Sequence, residues 1–409
     1  MKTRHVIIVG GGASGLMAAI TAASEGATVT LIEQKDRVGK KLLSTGNGRC
    51  NLTNQYMDST CFRGDDTAIV PTVLQQFGFD ESKRFFEDLG VLLKDRQGYV
   101  YPISDQASTI LDALRMELQR LQVRILVSQR VTEINRNKKG FIVKTTEKMI
   151  SGDAIILATG GKAAPVLGSD GSGYALAKQF GHRLSPVVPA LVPLKCKGTF
   201  FQQIAGIRTQ AKVSLFVDDK FVANDTGELQ LTNYGISGIP VFQISRYAAK
   251  GLYDGRRVFA KLDFIPSMEE KEFSDFLINR LERHGHKSAE DFLIGVFPKK
   301  LIAILLKAAQ IRSSVSMKAC TMEQIKHLAD ICKGFCVEIE GTNNFEGAQV
   351  CAGGVRTSEV CAQTMESVYE KDLYLTGELL DIDGICGGYN LQWAWSTGFI
   401  AGKAAAKGN

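Results

Sequence analysis

Residues 6–33, VIIVGGGASGLMAAITAASEGATVTLIE, constrain the fold more than any other stretch of the chain. Residues 6–9 form an apolar run long enough for one buried parallel strand. Gly10, Gly12 and Gly15 follow in G-x-G-x-x-G spacing, enclosing Ala13 and Ser14. Residues 16–23 are rich in helix formers, Gly26 suits a helix stop, and residues 28–32 read as a second strand. The first glycine permits a tight turn, the second lets backbone approach a pyrophosphate, and the third lets helix and strand pack closely. The helix N-terminus offers N–H donors and a positive dipole to the phosphates. Glu33, about twenty residues on, is placed to accept hydrogen bonds from a ribose diol. Strand, glycines, helix, strand and acid in this order predict a dinucleotide site. The motif alone does not separate FAD from NAD.

Two further glycine-rich stretches sharpen this. Residues 34–54, QKDRVGKKLLSTGNGRCNLTN, place Gly39, Gly46 and Gly48 among Lys40, Lys41, Arg49 and Asn51. Successive backbone N–H groups in such a loop cradle an anion or a polar ring edge, and the lysines add charge. Near the other end, residues 373–375 read as a strand running into Gly377 and Glu378. Gly384, Gly387 and Gly388 then precede a helical run from Leu391, with Asn390 beside its start. A nicotinamide dehydrogenase has no need of this distant second turn; a flavin with a long diphosphate and a polar ring edge does. Between them, a strand expected at 154–157 runs into Ala158, Thr159, Gly160 and Gly161, where glycine again admits a ligand close to backbone. The stretch 168–182, GSDGSGYALAKQFGH, reads as a helix-entry turn and not a second nucleotide site, because no buried strand leads into it.

The remaining pattern predicts a helix over 70–90, a hairpin at 91–101, a helix from 104 to 121, and strands at 123–127, 131–134 and 141–145. From residue 191 the texture changes: after Pro186, Pro189 and Pro193, short alternating segments suggest an antiparallel sheet or barrel, followed by helical residues 268–306 and a returning strand at 335–339. The expected class is α/β: a Rossmann-like FAD-binding domain with a parallel sheet, built from 1–190 and 345–409. It is interrupted by a β-barrel-like region, 191–265 with 316–344, and a helical subdomain, 266–315.

The net charge of +6 over 409 residues is scattered, with no basic run of five or more, which argues against a nucleic-acid or lipid surface. No apolar stretch reaches membrane-spanning length, and the N-terminal apolar run is too short for a signal peptide. A cytoplasmic protein is expected. The nine cysteines then suggest free thiols and no disulfide framework, and Cys332 with Cys336 lacks the partners of a metal site.

The glycine turn with Glu33, the GKKLLSTGNGRCNLTN loop, the ATGG strand end and TGELLDIDGICGGYNLQWAWSTGFIAG together resemble a bacterial family of FAD-binding oxidoreductases. That family includes aminoacetone oxidases and a 3-dehydro-bile acid delta(4,6)-reductase; fumarate reductase and 3-ketosteroid dehydrogenase flavoproteins are more distant. The resemblance spans essentially the whole chain. One departure falls in LTNYGISGIPVF, where Asn233 stands for a histidine of many relatives and Ile239 separates Gly238 from Pro240, so no histidine role carries over. The resemblance implies FAD contacts at Gly10, Gly12, Ala13, Ser14, Gly15, Glu33, Gln34, Lys40, Lys41, Gly46, Asn47, Gly48, Arg49, Cys50, Asn51 and Leu52. It implies others at Val131, Ala158, Thr159, Gly160, Gly377, Glu378, Gly388, Tyr389, Asn390 and Leu391. Val131 rests on the resemblance alone. Cys50 is expected to be a packing thiol and not a point of covalent flavin attachment.

The leading expectation is reduction of a carbon–carbon double bond conjugated to a ketone, with a bile acid or steroid substrate taken from the resemblance. NAD(P)H is the expected transient donor and leaves no fingerprint in the sequence. Such a reaction needs donors for the developing enolate oxygen and an acid for the near carbon. Arg49, Tyr234 and Tyr389 are the catalytic candidates, with Tyr99 and Tyr101 as further donors. The alternatives are an amine oxidase using dioxygen and a flavin-dependent RNA-modifying protein; the scattered charge disfavours the latter. The expected partner is a small molecule, without nucleic acid, membrane or metal; the oligomeric state is open.

Overall fold

The computed structural model describes residues 3–408; Met1, Lys2 and Asn409, at the ends of the expected FAD-binding segments, lie outside the described residues. The chain divides into two compact units: the residues up to Pro189 with those from Ala348 onward, and Ala190–Gly347.

The first unit is built on a five-stranded parallel sheet in the order Leu373–Leu375, Ala154–Leu157, His5–Val9, Thr28–Ile32, Arg124–Leu126. Its central strands are Val, Ile and Leu runs because both faces are covered. Register matters most for function. Val9 pairs with Leu157 and with Ile32, and Leu157 with Leu375. Four strands therefore end level, and the residues that follow them, Gly10, Glu33, Ala158 and Thr376-Gly377, come off one edge of the sheet. In open α/β sheets that carboxyl edge is where ligands bind. The helix Ala13–Ser24 leaves the first strand, and the long C-terminal helix Tyr389–Lys407 shares its core, burying Trp393 and Trp395 completely or nearly so.

An antiparallel sheet of Val131–Asn137, Gly140–Thr145 and Met149–Gly152 and another of Thr53–Asn54, Tyr99–Pro102 and Leu93–Arg96 complete this unit. The expected helix over 70–90 is two, Ile69–Gln76 and Phe79–Asp88. Gly78 takes extended geometry between them, and the Glu81 carboxylate accepts its N–H at 2.9 Å, which caps the second helix.

The second unit holds a closed six-stranded barrel in the order Leu194–Cys196, Gly235–Ser237, Lys220–Thr232, Arg208–Val217, Val258–Asp263, Phe335–Thr342. Helices Glu270–His284, Lys299–Ala308 and Met322–Lys333 share its core. Two long helices escaped the sequence reading. Ile239–Tyr253 starts directly after Gly238, with Pro240 in its first turn, where a missing N–H costs nothing. Met322–Lys333 falls inside 316–344, a range expected to be β-rich. It is started by a capping box in which Gln324 N donates to Thr321 Oγ1 at 3.2 Å and Thr321 N to Gln324 Oε1 at 2.9 Å. Among the described residues no helix is long and apolar enough to cross a membrane, and no cluster of metal-ligating side chains occurs.

Candidate functional site

The first glycine turn is shaped by close approach at two of its glycines and openness at the third. A Cβ on Gly15 would lie 1.9 Å from Gly10 O, and one on Gly10 2.4 Å from Ala158 O. At Gly12 a Cβ would meet no protein atom within 4 Å. Gly12 thus faces space, which fits backbone laid against a pyrophosphate. Glu33 is buried, its Oε2 accepting Gly11 N at 2.8 Å and its Oε1 accepting Lys35 N at 2.7 Å. Burial pushes its carboxyl above the ordinary value, against the lowering effect of these backbone donors. Gln34 donates to Gly168 O at 2.6 Å, and Gln129 N donates to Glu33 O at 3.0 Å just before Val131, which is buried at the start of its strand.

Around the Ala158-Thr159-Gly160 strand end, two hydroxyls are buried without a protein partner: Ser169 Oγ and Tyr174 OH. A Cβ on Gly160 would lie 3.0 Å from the first, and one on Gly161 3.1 Å from the second. Orphaned buried donors cost free energy unless a ligand or water pairs them. The 168–174 stretch, read as a helix-entry turn, does open the helix Ser172–Lys178 and also lines the first site.

The second loop, Leu42–Gly48, is a short 3-10 segment kinked at Thr45, after which Gly46, Asn47 and Gly48 run through the left-handed region. Its cations were expected to add free charge. Both lysines are instead neutralised: Lys40 pairs with Asp36 at 2.5 Å, and Lys41 with Glu378 at 2.7 Å. Arg49 is exposed and makes no ion pair among the described residues; its charge faces Tyr101. Cys50 is fully buried at positive φ, and burial pushes its thiol up to about 12.

The C-terminal motif is locked to the second loop. The Asn51 amide accepts from Gly388 N and donates to Thr53 O, each at 3.2 Å. The two tryptophans are anchors as well as core: Trp393 Nε1 donates to Gly377 O and Trp395 Nε1 to Leu52 O, both at 3.1 Å. Indole N–H groups buried at turn carbonyls were the signal the sequence reading left unused. Thr397 Oγ1 accepts Gly377 N at 2.9 Å. Asn390 spends its amide on Gly384, at 2.8 and 2.9 Å, so it braces the turn, and Leu391 follows in the first turn of the helix. Tyr389 is buried, its ring edge-on to Phe62, and burial keeps its phenol protonated. Tyr234 belongs to the second unit, in the turn between Lys220–Thr232 and Gly235–Ser237.

The first unit therefore gathers the three glycine turns, Glu33 and Glu378 at one edge of a parallel sheet, the arrangement of a Rossmann flavoprotein oxidoreductase. The chain belongs to the family described as HI0933-like protein Rossmann domain, whose model matches residues 4–404. It is 52% identical over 402 residues to a 3-dehydro-bile acid delta(4,6)-reductase of Clostridium scindens (strain ATCC 35704 / DSM 5676 / VPI 13733 / 19), covering 98% of both chains. It is 28% identical over 406 residues to a ribosomal RNA dihydrouridine synthase of Escherichia coli (strain K12), again covering 98% of both. Among solved structures, the open conformation of a flavocytochrome c3 fumarate reductase shares the fold with a TM-score of 0.53 at 16% identity, over 99% of this chain and 78% of that one.

Proposed function

We propose that the protein is an FAD-dependent reductase of carbon–carbon double bonds conjugated to a carbonyl, acting on a 3-oxo bile acid or steroid with NAD(P)H as external donor. The observation that carries this reading is the 52% identity across 98% of the chain to a bile-acid reductase. The 28% relative is named for forming dihydrouridine, and uracil's reducible bond is also conjugated to a carbonyl. The two names share a bond type, which makes that bond type the firmest part of the proposal.

The residues fit FAD: open space at Gly12, the buried acceptor Glu33, and the orphaned hydroxyls of Ser169 and Tyr174. Bound and reduced, FAD supplies hydride for the carbon far from the carbonyl. The chain supplies orientation and charge. Gly10, Gly12, Ala13, Ser14 and Gly15 present helix N–H donors to the pyrophosphate, and Glu33 takes the ribose diol. Gly46–Leu52 and Gly388–Leu391 hold the ring end. Arg49, unpaired, is the donor proposed for the carbonyl oxygen as charge builds there; one such donor is worth about 2.7–4 kcal/mol in comparable sites. Tyr389 and Tyr234 are proposed as proton sources, Tyr389 because it lies in the C-terminal glycine turn.

The test is an anaerobic titration. NADH or NADPH should bleach the flavin, and a 3-oxo steroid carrying a 4-ene or 4,6-diene should restore the yellow colour and leave as a product two hydrogens heavier. If aminoacetone bleaches the flavin and air restores it, the protein is an amine oxidase instead. If only ribosomal RNA reoxidises it, with dihydrouridine appearing in the RNA, the 28% relatives are the better guide.

A further inference from the structure

The sheet of Thr53–Asn54, Tyr99–Pro102 and Leu93–Arg96 has a core face and an open face. Val100 and Pro102 point inward; by the strand period of two, Tyr99 and Tyr101 share the other face. Asn54 and Arg96 lie opposite Tyr99, and Lys94 opposite Tyr101. Tyr99 is 40% exposed and nearby Tyr56 66% exposed.

This face is fastened to the C-terminal glycine turn. Asn54 Nδ2 donates to Gly387 O at 3.0 Å, and Asn54 Oδ1 accepts Tyr56 N at 3.0 Å. A Cβ on Gly387 would lie 3.1 Å from Tyr99 Cε1 and 3.0 Å from Tyr389 Cε2; one on Gly46 would lie 3.7 Å from Tyr101 Cε1. The Tyr99 ring therefore stands against Gly387 and the Tyr101 ring against Gly46. Lys94 and Arg96 share the one carboxylate oxygen Asp105 Oδ2 at 2.5 and 2.7 Å, the Arg96 guanidinium lies 5.7 Å from the Tyr101 ring centroid, and the charge of Arg49 also faces Tyr101. Exposed aromatic rings on one sheet face suit a flat, apolar molecule.

We infer that Tyr56, Tyr99 and Tyr101 form the substrate shelf, which selects multi-ring apolar ketones over small amines. This rests on the reading of the site as a conjugate reductase, and it assigns specificity to residues that do not enter the chemistry. Tyr99 is a specificity residue here, Arg49 the donor.

The experiment pairs turnover with direct binding. Holoprotein and the variants Tyr56→Leu, Tyr99→Leu and Tyr99→Phe are assayed with a 3-oxo-4-ene steroid and with cyclohexenone. The same proteins are dialysed to equilibrium against a saturated 3-oxo steroid, which binds without being reduced. Removing a stacking ring should raise KM and the dissociation constant for the steroids about tenfold, with kcat less affected, a smaller loss for the one-ring enone and the FAD spectrum retained. Tyr99→Phe, which keeps the ring, should restore binding. Tyr56→Leu alters only an exposed side chain, so its effect is not one of folding. Unchanged steroid KM and binding in Tyr56→Leu and Tyr99→Leu overturn the shelf, as does wild-type protein that binds no steroid. Wild-type protein that binds the saturated steroid, loses it with Tyr99→Leu and reduces no enone leaves the shelf standing and removes the reductase reading.

Discussion

Lys41 Nζ lies 2.7 Å from Glu378 Oε2, although 337 positions separate them along the chain. The other oxygen of the same carboxylate accepts Cys351 N at 2.8 Å. One half-buried carboxylate thus ties the second glycine loop to the C-terminal turn and to the strand Val350–Ala352. Three chain segments distant in sequence are held in one arrangement by this carboxylate.

Breaking that tie from one side should be costly. Lys41→Met leaves Glu378 without its cation while Cys351 N remains. A loss of about 1–3 kcal/mol in holoprotein stability is expected, read by denaturant titration. Lys41→Met with Glu378→Gln should recover part of it. Strict additivity in the double-mutant cycle would mean the two groups are not coupled.

Gly12 and Gly15 should part company when each becomes alanine. Gly15→Ala forces a methyl into Gly10 O and should destabilise the apoprotein by about 1–3 kcal/mol or more. Gly12→Ala meets only open space and has ordinary negative φ. It should leave apoprotein stability within about 0.5 kcal/mol and weaken FAD binding, measured by fluorescence quenching. Equal effects of the two on the apoprotein would contradict the geometry.

What the sequence revealed and what it hid divide along physical lines. The parallel sheet and its cofactor edge were legible because its strands are short, largely apolar runs, the first followed at once by Gly10 and the second by Glu33, a local pattern. The barrel was legible as alternation. The destination of long side chains was not. Nothing local says that Lys41 reaches Glu378, that Lys40 reaches Asp36, or that Trp393 and Trp395 aim their N–H groups at turn carbonyls. These are tertiary facts set by where two distant segments meet. Helix Met322–Lys333 was missed for a different reason: its T-x-x-Q start was present, but the flanking strand pattern was extended over it.

Cys50 should not carry flavin. Its thiol is fully buried, and burial pushes it up to about 12, so almost no thiolate exists at neutral pH. Acid precipitation should release all the yellow colour into the supernatant, and iodoacetamide should label exposed Cys336 well before Cys50. Flavin that stays with the precipitate would reverse this conclusion.

Tyr234 should matter to turnover and not to cofactor retention, because the proposed FAD contacts all lie in the first unit. Tyr234→Phe should lower kcat and leave the flavin spectrum intact. Protein that loses its colour on this substitution would show the division of labour to be wrong.

Glu33 should give FAD binding a pH dependence of its own. Burial raises its carboxyl above the ordinary value of 4.5. For folding alone the sign is fixed: a raised folded-state pKa contributes stability at pH values below the unfolded pKa and loses it as pH rises through the folded one. The apoprotein therefore gains nothing from ionising Glu33. Cofactor binding runs the other way. The ionised carboxylate already accepts Gly11 N and Lys35 N, and its remaining lone pairs are what a ribose diol needs; protonation removes an acceptor. FAD affinity should thus fall as the pH is lowered toward the raised pKa, with the loss beginning above 4.5. Glu33→Gln should be weaker at neutral pH by about 1.5–3 kcal/mol, the value of a hydrogen bond to a charged group, and nearly flat across the same range. FAD fluorescence on release gives the dissociation constant from about pH 8 to about pH 5. Parallel slopes for the wild type and Glu33→Gln would assign the pH dependence to another group and leave Glu33 without the ribose.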